Sequence, residues 1–217
     1  MSAIEGRRPI GARDSKWARA IARRLAKSSI TPNQISIASI GFAAIAGIAF
    51  WGVGVADAPL RAALYLIGAL ACQGRLLCNL FDGMVAIEGG KSSKDGPFWN
   101  EFPDRLADVL IFVGAGYGAA VAALGWAAAA MAILTAYVRE LGRANGAPAD
   151  YSGPMAKQHR MAVITGAAAI AVFEPFWSGD GEVMALALVI VALGALITVV
   201  LRAIRLVRAL KGRDTPS

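Results

Sequence analysis

Six stretches of this 217-residue chain stay apolar for about the 20 residues that a helix needs to cross a bilayer, and that limits the fold more than any other feature. In hydrocarbon every backbone N–H and C=O must find its partner inside the protein, which leaves helices or a closed barrel. The stretches run over 33–55, 59–87, 101–124, 126–145, 159–177 and 182–206, far longer than barrel strands. The chain is 57% hydrophobic and only 17% charged, against about 25% charged in a typical soluble domain. The expected fold class is therefore all-α integral membrane, with six transmembrane helices preceded by an amphipathic interfacial helix. The second stretch exceeds what a bilayer needs, so its end, from Arg75 to Ile87, projects into or past the interface.

Basic residues orient the spans. Arg7, Arg8, Arg13, Lys16, Arg19, Arg23, Arg24 and Lys27 precede the first span, and Lys91 and Lys94 follow the second. Arg143, Lys157 and Arg160 lie between the fourth and fifth, and Arg202, Arg205, Arg208, Lys211 and Arg213 end the chain. The intervening connections hold Arg61 alone and an acidic stretch around 176–182. The positive-inside rule then places both termini in the cytoplasm. The net charge of +7 reflects topology and affinity for anionic lipid, so no nucleic acid partner is expected. Trp17, Ala18, Ile21 and Leu25 form one stripe of a helix whose other faces are basic, the pattern of a helix lying in the interface. The expected organisation is a basic cytoplasmic segment over 1–29 containing that helix, a six-helix membrane domain over 30–207 and a basic tail over 208–217. The first 29 residues show no signal-peptide pattern. Cys72 and Cys78 read as small packing residues, since their spacing suits neither a redox motif nor a disulfide framework.

Carboxylates gather near the cytoplasmic face. Asp82 closes the second span, and Asp104 and Asp108 open the third, four residues apart and so on one helical face. Asn79 shares a face with Asp82. Such a cluster repels itself unless a cation sits within it, and carboxylate and amide oxygens suit hard divalent ions. No histidine or thiolate stands close by to suggest zinc. Glu88, Asp95 and Glu101 read as solvated loop charges. Asn100, Glu101 and Asp104 are also placed to cap a helix N-terminus. Asp108 lies a turn inside an apolar helix, where an ionisable residue is functional by default.

Asp82-Gly83-x-x-Ala86, then a glycine, then Asp104-x-x-x-Asp108, resembles the signature of the CDP-alcohol phosphotransferases, D-x-x-D-G-x-x-A-R followed by G-x-x-x-D-x-x-x-D. "ITPNQIS" (Ile30–Ser36) resembles the turn that opens that family's first span. Two features depart from the pattern: Asn79 replaces the first aspartate and Ile87 the arginine. The last pair is open to two registers. A gapless count through Gly96 ends on Asn100 and Asp104, whereas four extra residues align Asp104 and Asp108. The second is preferred because Pro103 fits only a helix's first turn, which starts the third span near Asn100.

What the resemblance implies is transfer of a phosphatidyl group from a CDP-linked lipid, usually CDP-diacylglycerol, to the hydroxyl of a small alcohol, with release of CMP. On that reading Asn79, Asp82, Asp104 and Asp108 hold one or two ions of Mg²⁺ or Mn²⁺, and Asp108 is the base. Gly83, Ala86 and Arg75 meet the nucleotide, although Arg75 could equally serve a structural pairing. Arg139, Arg143, Lys157, His159 and Arg160 form the candidate anion pocket for acceptor or donor phosphate. The family also implies a homodimer in the inner membrane with its active site on the cytoplasmic side. A family member weakened by Asn79 and Ile87, binding CDP-lipid as a scaffold or regulator, is the alternative. A cation transporter fits poorly, since its acids would lie near the bilayer midplane.

Overall fold

The computed structural model describes residues 15–177 and 179–212. Arg7, Arg8, Arg13 and Arg213, with the outer parts of the basic segment and tail, lie outside the described residues. Those residues form seven α-helices and no strand: α1 (Lys16–Lys27), α2 (Pro32–Gly52), α3 (Ala58–Glu88), α4 (Gly96–Gly118), α5 (Ala122–Ala144), α6 (Lys157–Ala171) and α7 (Glu182–Lys211). Short 3₁₀ turns extend α2 through Val53–Val55 and follow α6 at Glu174–Trp177. Four segments are long and apolar enough to cross a membrane: Pro32–Val55, Ala58–Glu88, Ala122–Ala144 and Glu182–Lys211. α4 is long enough but carries Glu101, Asp104, Arg105 and Asp108, and α6 has only 15 residues.

The segment over 30–36 makes a helix start by capping chemistry. The Thr31 hydroxyl accepts from the Gln34 backbone N–H at 3.2 Å, and the Gln34 side chain accepts from the Thr31 N–H at 2.9 Å. Pro32 adds a φ already suited to a first helical residue. α4 starts at Gly96, four residues earlier than the sequence suggests. Pro97 fills the first turn, where its missing N–H has no partner to lose, so Pro103 stands two turns inside and forgoes one intrahelical bond.

The packing reverses that of a soluble protein. Ala43, Ala46, Ala107, Ala128, Ala132, Ala168 and Ala195 are fully buried between helices, while Ile48, Leu70, Leu186 and Leu193 lie outward and more than half exposed. Small residues permit backbone-to-backbone approach, the source of association where lipid removes a hydrophobic drive. α2 and α4 meet this way, since a Cβ on Gly114 would collide with the Gly47 carbonyl oxygen. Gly114→Ala is expected to destabilise the protein by about 1–3 kcal/mol through overpacking. Gly41→Ala, which meets nothing within 4 Å, is expected to leave the thermal unfolding midpoint in detergent unchanged.

Cross-links between connections place the helix ends. Asn33, at the start of α2, donates to Asp95 at 3.1 Å, and Lys91 donates to the Ser28 and Ile30 carbonyls at 2.6 and 3.1 Å. These gather α1 and the start of α2 with the end of α3 and the start of α4. At the opposite end Arg61 pairs with Asp180 at 2.6 Å. Ala18 and Ala22 of α1 pack on Leu80, Phe81, Met84 and Val85 of α3, with Trp17 edge-on to Phe81. Trp17 and Ile21 remain substantially exposed on that helix.

Candidate active site

A cavity of about 850 Å³ opens where the end of α3, the starts of α4 and α6 and the end of α5 converge. α3 contributes Asn79, Asp82, Gly83, Ala86 and Ile87 to its wall, successive turns of one helical face. α4 contributes Asn100 and Asp104, four residues apart and therefore stacked on the same face. Arg139 and Arg143 stand at the end of α5, and Lys157 and Arg160 at the start of α6. Most of the residues singled out in the sequence are thereby brought together.

Asp108 is not among them. It is fully buried one turn deeper in α4, and Arg75 of α3 and Arg160 of α6 take one carboxylate oxygen each, at 3.0 and 2.7 Å. Helical spacing puts Asp104 and Asp108 on one face, but the two guanidiniums close over the deeper one. Arg75 is itself fully buried and reaches no cavity surface; its Nη2 donates to Asp104 and Asp108. In this position it is paired with the two α4 acids. His159 is exposed, does not line the cavity, and lies 2.9 Å from the Pro154 carbonyl through Nδ1.

Asp104 is the most heavily partnered group on the cavity wall. Its Oδ1 accepts from the Asn79 amide at 3.0 Å and lies 3.4 Å from Arg75. Its Oδ2 pairs with Lys157 and lies 3.7 Å from Arg105. Asp82 faces the cavity differently. Its Oδ2 accepts from the Ser36 hydroxyl at 2.8 Å and its Oδ1 from the Gly83 N–H, and it is the cavity carboxylate without an ion pair among the described residues. Glu101, read from sequence as a loop charge, pairs with Arg139 and, at 3.2 Å, with Arg105. Glu140 joins the same wall by bonding Arg139 at 2.8 Å and Arg143 at 3.1 Å. In the connection before α4, Ser93, then Trp99 and Asn33, hold the Asp95 carboxyl below its ordinary range by hydrogen bonding. Asp95 thus ties the loop down rather than facing the site.

The sequence does not single out Ser36 and Arg105 as site residues, and Glu101 reads there as a loop charge or a helix cap. The gapless count did reach Asn100. Nothing local marks Ser36, which acts on Asp82 of another helix, whereas the spacing of Glu101 and Arg105 is a local helical pair.

The donor set decides how many ions fit. Among the described residues no three of His, Cys, Asp and Glu are grouped as ligands for a metal. Two of the four positions facing each other across the cleft between α3 and α4 are amides, Asn79 and Asn100, and one of the two carboxylates, Asp104, already has cations on both oxygens. These residues fit one divalent ion, on Asp82 with amide oxygens beside it, and do not fit two.

No protein-family model and no curated protein sequence matches the chain. Solved structures do. Phosphatidylinositol phosphate synthase (PgsA1) of Mycobacterium tuberculosis with CDP-DAG bound matches with a TM-score of 0.73 at 19% identity, over 88% of this chain and 94% of that one. The same synthase in complex with manganese and citrate matches at 0.72 and 19% identity, over 87% and 88% of the two chains. Its apo form matches at 0.69, again with 19% identity, over 85% and 93%. The fold is therefore the one found in that synthase, a CDP-alcohol phosphotransferase.

Proposed function

We propose that the chain is a CDP-alcohol phosphotransferase, transferring the phosphatidyl group of a CDP-linked lipid to the hydroxyl of a small alcohol and releasing CMP. The observation that carries this reading is the convergence of Asp82-Gly83-x-x-Ala86 and Asp104 on one cavity, within a fold shared with a synthase solved with CDP-DAG bound.

The chemistry is electrostatic positioning of a phosphate. Gly83 and Ala86 leave the wall of α3 low, so a nucleotide phosphate approaches the backbone closely. Arg139, Arg143, Lys157 and Arg160 supply positive charge on the opposite wall, which favours a phosphorylated or otherwise anionic acceptor. A divalent ion held by Asp82, when bound, neutralises diphosphate charge and helps CMP depart. Asp104 is the α4 carboxylate that the cavity reaches, and we assign it acceptance of the attacking hydroxyl's proton. Asp108 has no exposed surface and does not line the cavity, so it does not take that role on this reading.

Six spans complete this reading, with α4 packed against α2 and α5 and α6 packed against α3 and α7. The basic residues of the described ends cluster on the cavity's side and leave Arg61 alone at the other. On this reading, by the positive-inside rule, the site and both termini face the cytoplasm at the inner membrane and α1 lies in the interface. Homodimerisation is retained from the resemblance.

Asn79, Asn100 and Ile87 favour a second reading, a protein that holds CDP-lipid without efficient transfer. The test is CMP release by the purified chain given CDP-diacylglycerol and a panel of free and phosphorylated alcohols. Release with one acceptor is expected. Tight CDP-lipid binding with no release from any acceptor would favour the second reading, and absence of binding as well would sink both.

A further inference from the structure

Resting on the reading of this cavity as a diphosphate-lipid site, we propose that Lys157 stands in for a second divalent ion. Fixed ammonium charge then meets one part of the diphosphate, and at most a single ion, on Asp82, meets the other.

Three observations converge on this. The first is donor charge. Across the cleft α3 offers Asn79 and Asp82, and α4 offers Asn100 and Asp104, so two of four inward positions carry no charge. Two divalent ions would bring twice the positive charge that these two carboxylates offset, in a setting where unbalanced charge is costly.

The second is orientation. An ionised carboxylate only accepts hydrogen bonds, so the contact of 3.0 Å between Asn79 and Asp104 has the amide nitrogen donating. Asn79 therefore turns a donor, not its carbonyl, toward the neighbouring acid. At the first aspartate position of the signature, the side chain satisfies its neighbour directly instead of sharing an ion with it.

The third is what fills the space. Lys157 is the first residue of α6, its side chain is 13% exposed, and its ammonium pairs with Asp104 Oδ2 at the cavity wall. The cavity as a whole is lined by seven Lys and Arg side chains against four Asp and Glu. That balance attracts a diphosphate before any ion enters, and a low-dielectric wall strengthens it. A lysine here is a compact point charge, as an ion would be, held by the fold and not by solution concentration.

The experiment counts Mn²⁺ bound to the full-length chain in detergent or nanodiscs, by metal analysis and electron paramagnetic resonance. At most one ion per chain is expected, without the spin coupling of a Mn pair. The double variant N79D/N100D should bind a second ion and develop that coupling. Two ions on the unmodified chain, or no gain in the double variant, would overturn the proposal.

Binding of CDP-diacylglycerol in the presence of chelator is the second readout. The unmodified chain is expected to retain it and Lys157→Met to lose it by tenfold or more. Lys157→Arg should restore most of the affinity. Arg75 and Arg105 still compensate Asp104 in Lys157→Met, so an unfolding midpoint near that of the parent should accompany the loss. Chelator-resistant binding unchanged in Lys157→Met would sink the idea. Absence of CMP release alongside the expected ion count and binding would remove the transferase reading and leave this one standing.

Discussion

Asp108→Asn is expected to destabilise the protein by about 3–5 kcal/mol, the usual consequence of deleting one member of a buried ion pair. Volume hardly changes, so the effect isolates charge. Asp108 has no exposed surface and compensates two guanidiniums, Arg75 at 3.0 Å and Arg160 at 2.7 Å. Arg75 Nε and Nη1 and Arg160 Nε have no hydrogen-bond partner among the described residues, and both guanidiniums reach Asp108 through Nη2. An amide in place of the carboxylate keeps one acceptor oxygen but leaves Arg160 with neutral partners alone, the Thr135 hydroxyl and the Met155 carbonyl among them. Thermal unfolding of the detergent-solubilised chain, followed by circular dichroism, should show the drop. Adding Arg160→Met to the variant should recover part of it, because replacing a whole buried pair with apolar groups is often near neutral. An unchanged midpoint with CMP release abolished would instead return Asp108 to the catalytic role that the sequence suggests.

Asp82→Asn should do the opposite, leaving the fold intact while lowering CMP release by about 10²–10³-fold, the scale of losing one preorganised electrostatic group. The carboxylate accepts hydrogen bonds from Ser36 Oγ and from the Gly83 N–H and has no ion pair among the described residues. An amide oxygen still accepts one of these, so the stability cost should remain near 1 kcal/mol. The missing charge matters only toward what enters the cavity. Steady-state CMP release at saturating CDP-diacylglycerol, with the unfolding midpoint measured in parallel, checks both halves. Release at the parental rate would move the chemistry off α3.

The contrast between these two aspartates shows what was legible in the chain. Asp82-Gly83-x-x-Ala86 can be read as a site because every residue in it serves one face of one helix. α3 delivers that face to the cavity as the spacing implies. The Thr31 cap is a signal of the same local kind, although the 30–36 segment entered the sequence reading only through the family resemblance. Pro103 misled because its preference for a first turn competed with a second start signal, Gly96-Pro97, about two turns upstream. His159 and Lys157 lie two residues apart and read alike as candidates, yet one faces solvent and the other Asp104.

By itself the sequence determined the elements and their polarity. Apolar runs of bilayer length require helices, side-chain caps start α2 and α3 at Thr31 and Asp57, and basic residues gather on alternate connections. Each of these follows from residues within a few turns of one another. Tertiary structure alone decided which acid meets the cavity and what balances it. Asp108 is closed off by Arg75 and Arg160, which come from helices 33 and 52 positions away in the chain. Asp104, one turn nearer the helix start, receives Lys157 from 53 positions away. Helical pitch sets the face on which a side chain lies, but its depth among neighbouring helices depends on how closely their backbones pack. Here that closeness comes from contacts such as Gly47 against Gly114, which bring α2 and α4 together.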